Sequence, residues 1–487
     1  MESLKERNKK HARRFGMRKK SFVGLALGTV GLMGLIYDYS NVQAGSFTNS
    51  TGGAFPIQKV AKELVDGNAT FVPINFDNGT NRYTPRDIPL GSLDGPTINV
   101  SVDNGKIYVG AGGVAICNST NNGTIAQLQT GNSTRELVFG GLTTTVANGI
   151  GYYIGNQTCN GTAALTFEIP KGASSVTLTI RLGSATTQTI YDTASATIIS
   201  AVPQFSAEVS RRFDAMIDYE TEFKNFGGNT TITNATIRLN SEHTNLNVNV
   251  GGYSGYGSTN ATFSVTLKPT DMSGISTVTI IPRGVSPVPC TKLTDRFVCN
   301  ATNNVNNIEN NFAGHPDSYT INATVNGTEV LSERRFTVDA LLDFARSEIA
   351  DKTLLTNADF GQWIYRGTTI YVPLIGVNPS TGRETYIKLQ SKDTNPNTNK
   401  VRAIILASDG STVAADLGQI TTGQPFTITG SDLAARVQAA GKTVGDSFAA
   451  VLIVTTAEEN LFGYANIVDS SGAKRVPLKV RTGNIVE

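Results

Sequence analysis

The chain has 487 residues, room for roughly two to four domains of ordinary size. Hydrophobic residues make up 39% and charged residues only 16%, against about 25% in a typical soluble domain. Thr, Ser, Asn and Gly fill the difference, which favours β-sheet with many turns and disfavours helical bundles. The formal charge of +2 misleads, because residues 1–44 hold nine Lys/Arg against three acids and the remainder holds 32 basic and 36 acidic residues. Without that first segment the chain loses the electrostatic motive for binding nucleic acid.

From Met17 the sequence reads as a signal peptide. Arg18, Lys19 and Lys20 form a basic start, Phe22 to Ile36 an apolar stretch, and Val42-Gln43-Ala44 a small-residue cleavage site. Cleavage before Gly45 is expected, so residues 1–44 are set aside as a leader. The apolar stretch is short and Gly-rich beside the roughly 20 apolar residues that span a bilayer. The expected location is therefore outside the cell, as a secreted chain.

Residues 45–205 are strand-and-turn material. Thr97–Val102, Lys106–Val109 and Ser175–Leu182 alternate apolar and polar residues with period two. Pro56–Val65 is the expected helix in this region. Residues 206–330 continue the pattern, with strands expected over Leu246–Val250, Thr262–Leu267 and Thr277–Ile281. Asn326-Gly327 between two alternating runs predicts a hairpin. Residues 331–487 form a third region. Strands are expected over Thr369–Ile375, Thr385–Leu389, Lys400–Leu406 and Ala449–Thr456. Helices are expected over Asp339–Ala350 and over Asp432–Ala440, the latter with Ser431 as N-cap. Arg211-Arg212-Phe213 is followed by Asp-Ala and apolar residues, and Arg334-Arg335-Phe336 by the same after two extra residues, both at expected region starts. They fit a duplicated module or a chance likeness.

The expected fold is mainly β, with several sandwich (Ig-like) domains in tandem and a few short helices. Four cysteines follow the leader, and an even count in an exported chain implies two disulfides. Cys117–Cys159 and Cys290–Cys299 keep each pair within one region; a zinc site lacks the C-x-x-C spacing.

Fifteen Asn-x-Ser/Thr triplets, acceptors for N-linked sugar, lie at Asn49, Asn68, Asn78, Asn99, Asn118, Asn122, Asn132, Asn156, Asn160, Asn229, Asn234, Asn260, Asn300, Asn322 and Asn326. None follows Asn326. Composition alone gives about seven, so the count is a twofold excess, or else a mark of Asn/Thr-rich turns. The bare last third is the expected region for packing against neighbours or the cell.

Catalytic signatures are weak. Asp393-x-Asn395-x-Asn397-x-Asn399 has calcium-loop spacing but lacks the sharp-turn Gly and the closing Glu. No cofactor is expected, and calcium is the one cation that the spacing would admit. His243 and His315 have no Gly-x-Ser-x-Gly partner. Gly110-Ala111-Gly112-Gly113 leads into polar turn material and not into a helix, which argues against a nucleotide site. Paired carboxylates of a glycosidase would sit in an aromatic-lined cleft, and the chain has one Trp, Trp363. The run Gly251–Ser258, with Tyr253 and Tyr256, reads as a flexible loop. No enzyme activity is expected.

A leader, tandem β-sandwich regions, Thr/Asn/Gly-rich strands, few His and little Trp together resemble prokaryotic cell-surface proteins of the S-layer type. The resemblance covers residues 45–487. It implies a structural subunit that self-assembles into a lattice or filament, with itself as partner and cell-envelope glycans as a second class of partner. The alternative is a secreted adhesin or carbohydrate-binding protein, with Trp363 or Tyr253 in its site.

Overall fold

The computed structural model describes residues 45–482 apart from 80, 86–95, 141–145, 147–149, 185–188, 306–307, 309–316, 396–397 and 477. The expected leader therefore lies outside the described residues. The described residues form one compact unit. It is mainly β, in the sandwich manner, with three large hydrophobic cores and a small cluster around Cys117 and Cys159 among the described residues.

The first core lies between a ten-stranded sheet and a three-stranded sheet, both drawn from residues 46–202. Strands Pro96–Val102 and Ser175–Ser184 run through the large sheet, and Ile98, Val100, Leu178 and Leu182 point inward at 0% exposure. Strand Thr70–Phe76 alternates without a break, Val72, Ile74 and Phe76 facing in. The expected helix at Pro56–Val65 is only half right. Gln58–Ala61 is a strand running parallel to Ile199–Val202, and the helix is Lys62–Gly67. Burial of Val60 and Ala61 against the sheet outweighs their helical tendency.

The second core is the largest. A five-stranded sheet (Ile232–Ser241, Asp317–Val325 and Ile275–Pro282 at its centre) faces a six-stranded sheet (Asn260–Pro269, Phe297–Asn304, Arg334–Asp343, Lys352–Tyr365). Phe263 and Tyr319, one from each sheet, meet with ring centroids 4.2 Å apart. Strands Arg334–Asp343 and Lys352–Tyr365, placed at the start of the third region from sequence, thus belong to the middle core. The helix expected at Asp339–Ala350 is absent there: Phe336, Val338, Ala340 and Leu342 form one period-two stripe, all buried. A window opening at Asp339 misses the stripe because it opens at Phe336. Asn326-Gly327 is likewise no hairpin, since the strands on either side enter different sheets. Leu246–Val250 is irregular backbone, bonded to the chain at Lys59 and Ala61.

The two Arg-Arg-Phe triplets do not open two domains. Both flank one strand, Lys352–Tyr365. Phe213 bridges to Gly361 in parallel, and Phe336 pairs with the same Gly361 antiparallel. Their rings lie 4.7 Å apart and pack on Trp363 with Phe226 and Phe360 nearby. Above the Trp363 ring, at 5.0 Å, lies the guanidinium of Arg334, which is 2% exposed. Arg334 donates to the carbonyls of Asp271, Ser273 and Ser332 and is 3.4 Å from the Asp271 carboxylate. Burial lowers the Arg334 pKa. The bonds compensate for burying the charge.

The third core fills the space inside a nine-stranded sheet of residues 368–482 and beneath helix Gly430–Ala439. Leu433, Ala434 and Val437 are the helix's buried face. Thr429, not Ser431, caps it: its hydroxyl accepts from Asp432 N–H, and Asp432 returns a bond to Thr429 N–H. Ser431 instead donates to Glu384.

The cores are not loosely strung. Ala61 and Leu64 from the first region and Ile404 and Ile453 from the third are buried in the middle core. The Glu63 carbonyl accepts from Ala350 N–H, and the Val248 carbonyl from Ala61 N–H, each at 2.9 Å. Disulfides join Cys117 to Cys159 and Cys290 to Cys299, closing separations of 42 and 9 residues.

Two outcomes follow from this packing. Gly361 has φ +100°, and a Cβ there would lie 2.2 Å from the Phe213 carbonyl oxygen and 2.5 Å from its nitrogen. Gly361→Ala is expected to cost about 3 kcal/mol or more in denaturant unfolding, through strain and overpacking together. Unfolding of Cys→Ser double variants should rank the bonds: about 4 kcal/mol lost for Cys117–Cys159 against about 3 kcal/mol for Cys290–Cys299, by the loop each closes. Equal or reversed losses would contradict that ranking.

Candidate assembly surfaces

The fifteen sequon asparagines all lie outside the cores. Asn68, Asn122, Asn132, Asn160, Asn229, Asn260, Asn300 and Asn326 are exposed, and the other seven are half-buried. They fall into two structural kinds. Asn234-Ala-Thr, Asn260-Ala-Thr, Asn300-Ala-Thr and Asn322-Ala-Thr sit in strands, each with the Ala buried and the Asn and Thr facing outward. Asn49, Asn118 and Asn326 sit in turns, where each side-chain oxygen accepts from the N–H two residues on. The triplets therefore mark outward strand faces as well as turns. Asn234 and Asn322 are directly opposite each other on neighbouring strands.

The last region carries a different outward face. Strands Arg383–Ser391 and Leu461–Asp469 pair antiparallel, with Tyr386 opposite Asn466, Lys388 opposite Tyr464 and Gln390 opposite Phe462. Ile387, Leu389 and Ala465 take the inner face and fill the third core. On the outer face Phe462 is 56% exposed and Tyr386 37%. The Lys392 ammonium lies 5.8 Å from the Phe462 ring, and the Arg475 guanidinium 4.7 Å from that of Tyr464. Aromatic rings beside cations on an outward sheet face suit contact with an acidic, partly apolar surface. Residues 204–365 hold 12 Lys/Arg against 17 Asp/Glu, and residues 366–487 hold 12 against 10, so the chain's own middle region is acidic.

Residues singled out from the sequence as sugar contacts lie elsewhere. Trp363 is fully buried, a correction to the adhesin reading that placed it in a binding site. Only a long buried-aromatic contact list, not composition, separates a core Trp from a platform. Tyr253 accepts a hydrogen bond from Phe71 N–H, and Tyr256 is 9% exposed, so their loop joins the first two regions. A hollow of about 460 Å³ opens beside Gly361, lined by Arg212, Asp214, Met216, Arg335, Asp359 and Gln362 among others. Arg212 and Asp359 pair across it at 3.1 Å.

The Asp393 loop is closed by protein donors. Asn395 N–H and the Thr456 hydroxyl bond the two carboxylate oxygens, holding the carboxyl below its usual range, and the Asn399 amide donates to the Asp393 carbonyl. Those donors suit a turn better than a cation; Asn397 lies outside the described residues. Among the described residues, no group of three His, Cys, Asp or Glu side chains converges. His315 also lies outside them. Gly110–Gly113 is a turn feeding strand Ala115–Asn118.

No curated protein matches the sequence. Solved structures with a remote likeness include the major pilin subunit BcpA of Bacillus cereus, at 10% identity over 80% of this chain and 96% of that one, with a TM-score of 0.23. Another is the C-terminal domain of the Streptococcus pyogenes antigen I/II-family protein AspA, at 9% identity over 66% and 99%, with a TM-score of 0.23. A third is CfaE, adhesive subunit of the CFA/I fimbria of enterotoxigenic Escherichia coli, at 11% identity over 66% and 93%, with a TM-score of 0.19. The sequence model of the family described as S-layer protein Slr4 matches residues 96–475, well over half of the chain. The chain therefore belongs to the S-layer protein Slr4 family and is a structural protein of the extracellular cell surface.

Proposed function

We propose that this subunit builds a surface lattice by self-association, without catalysis, through the outer face of strands Arg383–Ser391 and Leu461–Asp469. The observation that carries this reading is the exposed Phe462 beside Tyr464 and Tyr386, on a sheet that bears no sequon. Aromatic residues flanked by Arg and Lys are the usual anchors of protein contacts. The acidic middle region of a neighbouring copy is the complementary surface. The sequon-bearing faces of the first two regions point to solvent and carry sugar, which keeps them from stacking face to face. Strand pairing supports a division into 45–205, 206–365 and 366–487, with the three regions acting as one rigid block. Cell-envelope glycans remain a second class of partner, held outside the aromatic core.

Phe462→Ser with Tyr464→Ser leaves the inner face untouched and is expected to keep the fold, since surface substitutions of this kind stay within about 0.5 kcal/mol. Negative-stain microscopy of the purified mature protein should show ordered sheets for the natural sequence and their loss, or at least a tenfold higher assembly concentration (about 1.4 kcal/mol), for the variant. Unchanged assembly would remove this face from the contact. Glycan mapping by mass spectrometry on protein taken from the cell surface is expected to find sugar only at positions up to Asn326, with the strand asparagines Asn300 and Asn260 among the modified sites. Complete absence of sugar would leave the outward Asn/Thr rows as bare polar faces.

A further inference from the structure

The start of the described chain makes an unusual contact. Gly45 N–H donates to the Asp192 carboxylate at 2.8 Å, across 147 residues of sequence. Asp192 is 0% exposed. Its other oxygen accepts from the Tyr83 hydroxyl at 2.8 Å, and Thr193 N–H adds a third bond at 2.8 Å. Burial, then the neighbouring Asp192 charge, pushes the Tyr83 hydroxyl far above its ordinary pKa, so it stays a donor. Position 45 also has no room for a side chain: a Cβ would lie 2.5 Å from Asp192 Oδ2 and 3.0 Å from the Tyr83 ring. The strand that follows, Ser46–Thr48, pairs with Arg82–Thr84 at one edge of the ten-stranded sheet, and Phe47 enters the core. Asp192 belongs to Ile190–Val202, near the other edge. The contact therefore bridges two strands far apart in the sheet's order.

Gly45 is also the residue at which the sequence places leader cleavage. We propose that Asp192 is a receptor for the mature N-terminus: removal of the leader places the new α-ammonium of Gly45 on the buried Asp192 carboxylate and locks the first strand to the far side of the sheet. The chemistry is hydrolysis by a signal peptidase. The Ala44–Gly45 C–N bond breaks, water supplies hydroxyl to the Ala44 carbonyl and a proton to the Gly45 nitrogen, and the amine is protonated at neutral pH. Before cleavage the same nitrogen is a neutral amide that offers one hydrogen. Afterwards it is a cation that offers three, and a charge-assisted bond to a buried carboxylate is about twice as strong as a neutral one. Only glycine fits there, so a cut one residue earlier or later would not present a matching amine. The device makes the first region more stable after export than before it. It stands apart from lattice contacts, so its test does not depend on assembly.

The test begins with the intact mass and N-terminal residue of protein taken from the cell surface, expected to start at Gly45. Thermal unfolding is then compared from pH 6 to pH 11 for the full mature chain with a free Gly45 amine and for the same chain N-acetylated, which restores the neutral amide. The ordinary α-amino pKa is about 7.7–8.0. The Asp192 partner raises it in the folded chain, so the extra stability is full below about pH 8 and is lost as pH rises through the raised value. At pH 7 the free-amine chain should melt about 3–6 °C higher, and the gap should close at high pH. In Asp192→Asn the two forms should melt together. If Asp192→Asn does not fold, an isotope-labelled Gly45 amine titrated by NMR gives the same answer through its raised pKa. A native chain that starts elsewhere, equal melting of free and acetylated forms at pH 7, or an unraised amine pKa would overturn the proposal.

Discussion

Side chains alternate across a β-strand, and that one geometric fact governs the rest of this structure. Each strand has to send every second residue inward, so one half of its sequence is apolar and the other half is free. The inner half builds the three cores. The outer half is where the chain writes its surface: Asn and Thr over the first two regions, aromatic and cationic residues on the last. The four strand-borne Asn-Ala-Thr triplets are the clearest case. Their Ala is core and their Asn and Thr are surface, so a sugar acceptor arises wherever a small buried residue separates two polar ones.

Close backbone packing turns these sheets into one body. At Gly361 a strand meets Phe213 on one side and Phe336 on the other, which is achievable only because no side chain stands between them. Trp363 and the buried Arg334 then fill the space beside that crossing. The first region is tied to the middle by backbone bonds from Ala350 to Glu63 and from Ala61 to Val248, and the last by Ile404 and Ile453.

Much of this was legible in the sequence, and the rest was hidden for identifiable reasons. Period-two runs such as Thr97–Val102 and Ser175–Leu182 marked real strands, because alternation needs no tertiary information. Asp339–Ala350 read as a helix because its window cut the stripe that starts at Phe336. Asn326-Gly327 signalled a turn correctly but could not say whether the next strand returns to the same sheet. The paired Arg-Arg-Phe triplets looked like a repeat, yet they converge on one strand, a long-range contact that no local pattern encodes. For the surface, the sequons and their asymmetry were plain, whereas Phe462 and Tyr464 carried no signal. Only the register between two strands shows that they share an outward face.

Under the proposed function, the last region's aromatic face joins neighbouring copies while the Asn-bearing faces stay open. The most direct measurement is a cryo-electron microscopy map of the native surface layer into which the chain is fitted. Phe462, Tyr464 and Tyr386 are expected to lie buried between subunits, and Asn234, Asn300 and Asn322 to face solvent. A layer in which the aromatic face is bare and the Asn-bearing sheets form the contacts would contradict it.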